Sequence, residues 1–212
     1  MSSMNTEYKT VAREGSTTLI EKKSEFISHV LPVETEREAL DYLAQIRGRY
    51  ADATHNVYAY VLRDNHLQRF SDDGEPSQTA GMPVLDSIRK RGLTDTIVIV
   101  TRYFGGTLLG TGGLVRAYGK CASEGITAAG PVICKPCTQY FLHCDYTLSG
   151  KVQYTLAEQH YIVEDTAYTD HVTFRICLEN GREDQLFNTI SELSGGQAKI
   201  EKGAHKFIQL PI

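Results

Sequence analysis

Hydrophobic residues alternate with polar ones in some stretches of this chain and recur every three or four positions in others, which separates strands from helices. Residues 19–33 read as extended, with Phe26, Val30 and Val33 among their apolar positions. Thr35-Glu36-Arg37-Glu38 then has the spacing of a capping box, which predicts the start of a helix. Leu40, Leu43, Ile46 and Tyr50 give that helix one apolar face. Residues 56–62 (NVYAYVL) are aromatic and β-branched, the composition of a strand, and a turn through Arg63-Asp64-Asn65 returns the chain along 66–70. A helix is predicted over 83–91, followed by the most apolar strand of the chain, 96–102 (TIVIVTR), which belongs at the centre of its sheet. The next helix begins at Gly112 or Gly113, with Leu114, Ala117, Tyr118, Cys121 and Gly125 on its inner face.

Gly130-Pro131 ends that helix, and the pattern then starts afresh. Segments 139–146, 150–159, 162–168, 171–178, 182–194 and 197–209 read as strand, helix, strand, strand, helix, strand. That order is a split βαβ, or ferredoxin-like, unit. The expected organisation is an α+β chain of two domains, 1–132 and 138–212, with 133–137 as the linker.

Composition narrows the function classes. The 212 residues are 41% hydrophobic and 23% charged, proportions that support a packed core. Residues 1–10 lack the apolar stretch of a signal peptide, and no apolar run, that of 97–100 included, is long enough to cross a bilayer. A soluble, cytoplasmic protein with no membrane partner is expected. The net charge of −4 argues against a general polyanion binder. Before position 138 the chain carries 16 basic and 16 acidic residues, and after it 6 and 10, so an RNA contact would need a local basic patch on the first domain. Five cysteines, an odd number, suggest reduced thiols.

The strongest chemical signal is RYFGGTLLGTGGLVRAYG, residues 102–119. Its candidate ligand- or RNA-binding residues are Arg102, Tyr103, Phe104, Gly105, Gly106, Gly110, Thr111, Gly112, Gly113, Arg116 and Lys120. A glycine-rich loop that delivers free N–H groups to a helix N-terminus suits an anion, and the basic residues reinforce it. Tyr103 and Phe104 suit base stacking. The loop is not a Walker A motif, because Thr111 stands where the lysine belongs. It is not a GxGxxG either, because Val115 replaces the third glycine. The same glycines also suit a tight strand-to-helix turn with close packing, and both readings stand.

Asp72, Asp73 and Glu75 crowd three carboxylates into four positions, a set that suits Mg²⁺ or a basic partner, or a solvated turn before a helix. His55 opens a strand, where it suits proton transfer, base reading or a structural role. Cys134 and Cys137 form a CxxC, but it precedes a strand rather than a helix and has no second pair to complete a zinc site. No GxSxG, HExxH or nucleophile–base pair is present.

Residues 55–62, 71–83 (SDDGEPSQTAGMP) and 100–119 occur in the order and spacing that resemble the N-terminal domain of the YigZ/IMPACT family. The resemblance covers roughly residues 20–130, and the second domain is similar to the smaller C-terminal domain of bacterial members. Gln78 departs from the pattern, standing where members usually carry glycine. The resemblance implies a ribosomal-protein-S-five domain-two-like first domain. It implies a ferredoxin-like second domain similar to late domains of elongation factor G. The expected function is translation-associated regulation through binding RNA, the ribosome or a translation-associated protein, without catalysis. The alternatives are an Mg-dependent enzyme acting on a phosphorylated small molecule or nucleotide, and a protein–protein adaptor.

Overall fold

Strand Thr96–Tyr103 buries side chains on both faces, as its unbroken apolar run demands, and the first half of the molecule is assembled around it. The computed structural model describes residues 6–212; the first five residues of the polar start lie outside them. The chain divides into two units, one built mainly from residues 8–133 and the other from 134–209.

The first unit contains β1 (Tyr8–Val11), β2 (Gly15–Glu21), β3 (Ser24–Pro32), α1 (Glu36–Arg49), β4 (His55–Val61), a short 3-10 turn at Asp64–His66, β5 (Gln68–Ser71), α2 (Gly81–Lys90), β6 (Thr96–Tyr103) and α3 (Thr111–Ala129). Its antiparallel sheet runs β2-β3-β6-β4-β5, which places β6 at the centre. Alternation along β6 decides the layers. Val98 and Val100 pack with the α2 and α3 residues Val84, Leu85, Ile88, Leu114, Tyr118 and Ile126 on one face. Ile97 and Ile99 pack with Ala39, Tyr42, Leu43 and Ile46 of α1 on the other. Each such side chain contributes roughly 1.5–3 kcal/mol by burial.

The capping box at Thr35 forms in both directions, with Glu38 N–H donating to Thr35 Oγ1 at 3.2 Å and Thr35 N–H to Glu38 Oε2 at 3.3 Å. The expected helix face is shifted by one position. Ala39 and Tyr42 are buried whereas Leu40 is 47% exposed, because the sheet takes the stripe 39-42-43-46.

The second unit holds most of β7 (Pro131–Cys144), then α4 (Tyr146–Glu158), β8 (Ile162–Tyr168), β9 (Val172–Glu179), α5 (Glu183–Ser194) and β10 (Lys199–Pro211). β9 lies between β7 and β8 and β10 pairs with β7, the order β10-β7-β9-β8 of a ferredoxin-like unit, and the long β7 also pairs with β1 as the fifth strand of that sheet. Tyr140, Leu142, Phe174 and Ile176 meet Val152, Leu156, Leu186 and Ile190 in its core.

Two expectations are corrected here. Residues 133–137 form no separate linker; they lie within β7, which runs through the division between Ile133 and Cys134. Nor are all the cysteines thiols. Cys137 and Cys177 form a disulfide, because the antiparallel register sets Gln139 opposite Cys177 and Cys137 opposite Glu179, so the two cysteines are diagonal neighbours with Cα atoms 6.0 Å apart. Cys121, Cys134 and Cys144 are buried and form no disulfide. Burial pushes the Cys121 thiol up to about 12, which keeps it protonated at neutral pH.

Candidate functional site

The glycine-rich loop and the acidic loop meet at one cavity in the first unit, of about 430 Å³. Thr54 and His55 from the start of β4 line it, with Glu75 and Pro76 from the acidic loop and Arg102 and Phe104 from the end of β6. Leu108, Leu109, Gly110, Thr111 and Leu114 complete it from the glycine-rich loop and the first turn of α3.

Glu75 is the hub of the polar floor. Arg102 Nη1 donates to Glu75 Oε1 at 2.5 Å and the Tyr118 hydroxyl donates to the same oxygen at 2.7 Å. The Arg102 side chain is 6% exposed and the Glu75 side chain 4% exposed. A second Arg102 nitrogen donates to Ser24 Oγ at 3.3 Å, and its guanidinium carbon lies 5.3 Å from the Phe26 ring centre and 5.5 Å from that of Phe104. Burial and the bond to Glu75 push the Tyr118 hydroxyl far above its ordinary pKa, so it stays a donor. His55 completes the floor. Its Nδ1 lies 2.8 Å from the Asp73 carbonyl, which can only accept, so Nδ1 carries the proton there and Nε2 sits 3.8 Å from Glu75 Oε1.

The expectation that Arg102 stands free to meet an anion is therefore corrected. A charge at the end of a central strand is cut off from water by the surrounding rings, and only its carboxylate partner makes that position tolerable. Asp72 and Asp73 are likewise committed within the protein. Asp72 accepts the backbone N–H groups of Gln78, Ala80 and Gly81 at 2.8, 3.0 and 2.8 Å, which fixes the start of α2. Asp73 accepts the Asn56 N–H at 2.7 Å and pairs with Arg47 at 2.7 Å. Among the described residues, no group of three or more His, Cys, Asp or Glu side chains is placed to hold a metal ion. The departure at Gln78 also has a local explanation. Its φ of 62° lies in the left-handed region that glycine favours, and Asp72 holds its N–H in that conformation.

The glycine-rich loop serves both packing and exposure. A Cβ at Gly105 would run into the Lys23 carbonyl, so this glycine lets the loop rest on the β2–β3 turn, where its N–H donates to Ser24 Oγ at 3.2 Å. Gly110, with φ 72°, turns the chain into α3 without any side-chain cap. The first α3 hydrogen bond is Leu114 N–H to the Gly110 carbonyl at 2.9 Å, so the amides of Thr111, Gly112 and Gly113 have no intrahelical acceptor. Arg116 is exposed and its guanidinium reaches back over this turn, since a methyl placed on Gly112 would sit 3.5 Å from Nη1. Gly106 is exposed in the loop between Phe104 and Leu108.

Of the predicted residues, Gly105, Gly106, Gly112, Gly113, Arg116, Asp72 and Asp73 flank the cavity without lining it, and Tyr103 and Lys120 are also outside the lining. The Tyr103 hydroxyl donates to Asp52 Oδ1 at 2.8 Å, and that bond raises its pKa. Lys120 faces Glu124 one turn along at 3.9 Å. Sequence reasoning also missed Thr54, Pro76, Leu108 and Leu109, which line the cavity. The leucine pair carried a signal, because adjacent apolar residues between glycines have no place in a purely solvated loop. Leu108 is 82% exposed and Phe104 45% exposed at the cavity mouth.

Comparison with known proteins agrees with this division of the chain. The Impact N-terminal domain matches residues 22–126, and a domain of unknown function, DUF1949, matches residues 142–197. The IMPACT family member YvyE of Bacillus subtilis is 39% identical over 206 residues, covering 97% of this chain and 95% of that protein. The IMPACT family member YigZ of Escherichia coli is 30% identical over 182 residues, covering 84% and 89%. A solved structure described as a hypothetical protein superposes with a TM-score of 0.59 at 28% identity, covering 93% of this chain and 98% of that one. With a relative this similar along almost its whole length, and both domain patterns in the same order, the chain belongs to the IMPACT family.

Proposed function

We propose that this protein is a translation-related regulator that acts by binding, and that its first unit presents the glycine-rich cavity mouth to RNA on the ribosome. The carrying observation is the exposed rim. Phe104 and Leu108 project beside the unbonded amides of the first α3 turn, and Arg116 adds a full positive charge there. Aromatic and apolar side chains next to anion-seeking amides suit a strand whose bases stack while its phosphates are held. Arg102 supports this rim from below through Glu75.

Co-sedimentation with ribosomes and with single-stranded RNA, across a salt series, tests the reading. Arg116→Glu combined with Phe104→Ala is expected to weaken association at least tenfold and to flatten its salt dependence. A folded double variant that associates as well as the wild type removes the rim from consideration. Absence of any wild-type association at low salt removes the RNA reading itself.

A further inference from the structure

The depth of the cavity asks for more than a backbone contact. Every contact of the Glu75 carboxylate falls on Oε1, leaving Oε2 without a partner on a side chain that is only 4% exposed. His55 Nε2 lies on the same floor, 3.8 Å from Glu75 Oε1. A carboxylate oxygen left over in a confined space is open to a donor supplied from outside the protein. Arg102 already balances the charge of Glu75, so the floor favours neutral hydroxyls over an ammonium group. At the start of α3, where Gly110 and Thr111 line the cavity, the character is the reverse: the helix's first amides seek an anion, and the exposed Arg116 guanidinium, outside the lining, lies over the same turn. Leucines 109 and 114 form the wall of the same cavity, whose volume of about 430 Å³ falls in the range of small-molecule sites.

We propose that this cavity binds a small phosphate monoester carried on a hydroxyl-bearing ring, either a nucleoside monophosphate or a sugar phosphate. The phosphate sits at the first turn of α3 within reach of Arg116, and the ring hydroxyls donate to Glu75 Oε2, with His55 beside them. This rests on the cavity being the binding site, as in the functional proposal above.

Calorimetric titration and thermal melting of the full chain test it with four probes: inorganic phosphate, adenosine, ribose 5-phosphate and adenosine 5′-monophosphate. Both esters are expected to bind at least tenfold more tightly than adenosine or inorganic phosphate, and to raise the melting temperature. Tighter binding of adenosine 5′-monophosphate identifies a nucleotide ligand, and equal binding of the two esters identifies a sugar phosphate. Arg116→Ala, at an exposed position, is expected to lower ester affinity about tenfold with the melting temperature of the free protein unchanged. His55→Ala is expected to abolish the preference for ribose 5-phosphate over 2-deoxyribose 5-phosphate. No saturable binding of either ester at millimolar concentration, or an Arg116→Ala variant that binds them unchanged, overturns the assignment. Ribosome association that persists while the esters fail to bind overturns this inference alone; ester binding without ribosome association overturns only the RNA reading.

Discussion

The acidic loop and the glycine-rich loop meet at one cavity, yet they spend their polar groups in opposite ways. Asp72, Asp73 and Glu75 look like the available charges in the sequence, and all three are engaged inside the protein, with three backbone amides, with Arg47, and with Arg102 and Tyr118. The glycine-rich loop carries few formal charges, and it leaves backbone amides, exposed Phe104 and Leu108, and Arg116 uncommitted at the rim. A charge near a core is drawn into pairing because leaving it alone is costly, whereas a helix start that lacks a side-chain cap keeps its donors for a ligand. The acidic loop therefore acts as scaffold, apart from the one Glu75 oxygen left toward the cavity, and the glycine-rich loop as contact surface.

That contrast is open to direct attack. Glu75→Ala is expected to have the largest effect, about 3–5 kcal/mol of lost stability in urea unfolding, because it strands the buried Arg102 charge. A loss below about 1 kcal/mol would mean that the acidic loop is no scaffold. Asp72→Ala should cost about 2 kcal/mol by the same measurement, since three N–H groups at the start of α2 lose a charged acceptor. Leu108→Ser is expected to change stability by no more than about 0.5 kcal/mol while weakening ribosome association severalfold, which separates surface from scaffold. The smallest effect sharpens the acidic side. Gln78→Gly, relieving a φ of 62°, should raise stability by about 0.5 kcal/mol, read as a higher melting temperature with association unchanged.

Much of the fold was legible in the pattern of residues. The TIVIV run marked the central strand, Thr35 and Glu38 marked the start of α1, and the second half spelled βαββαβ. The misreadings have physical causes. Leu40 counts as apolar in any periodicity, but the sheet surface selects Ala39 and Tyr42 instead. Cys137 and Cys177 are separated by 40 residues, so only the β7–β9 register brings them together. At the candidate site, the glycines, Phe104, Thr111 and Arg116 were visible as a cluster, because they are consecutive in the chain.

By itself, the sequence determined the elements, the two-part organisation and the presence of a glycine-rich turn with an unusual concentration of backbone donors. Only the tertiary structure decided which charges are spoken for. Arg102 and Glu75 stand 27 positions apart, and no local pattern tells that one neutralises the other. Propensity and periodicity act between near neighbours, whereas the electrostatic state of a buried group depends on whatever long-range packing places within a few ångströms of it.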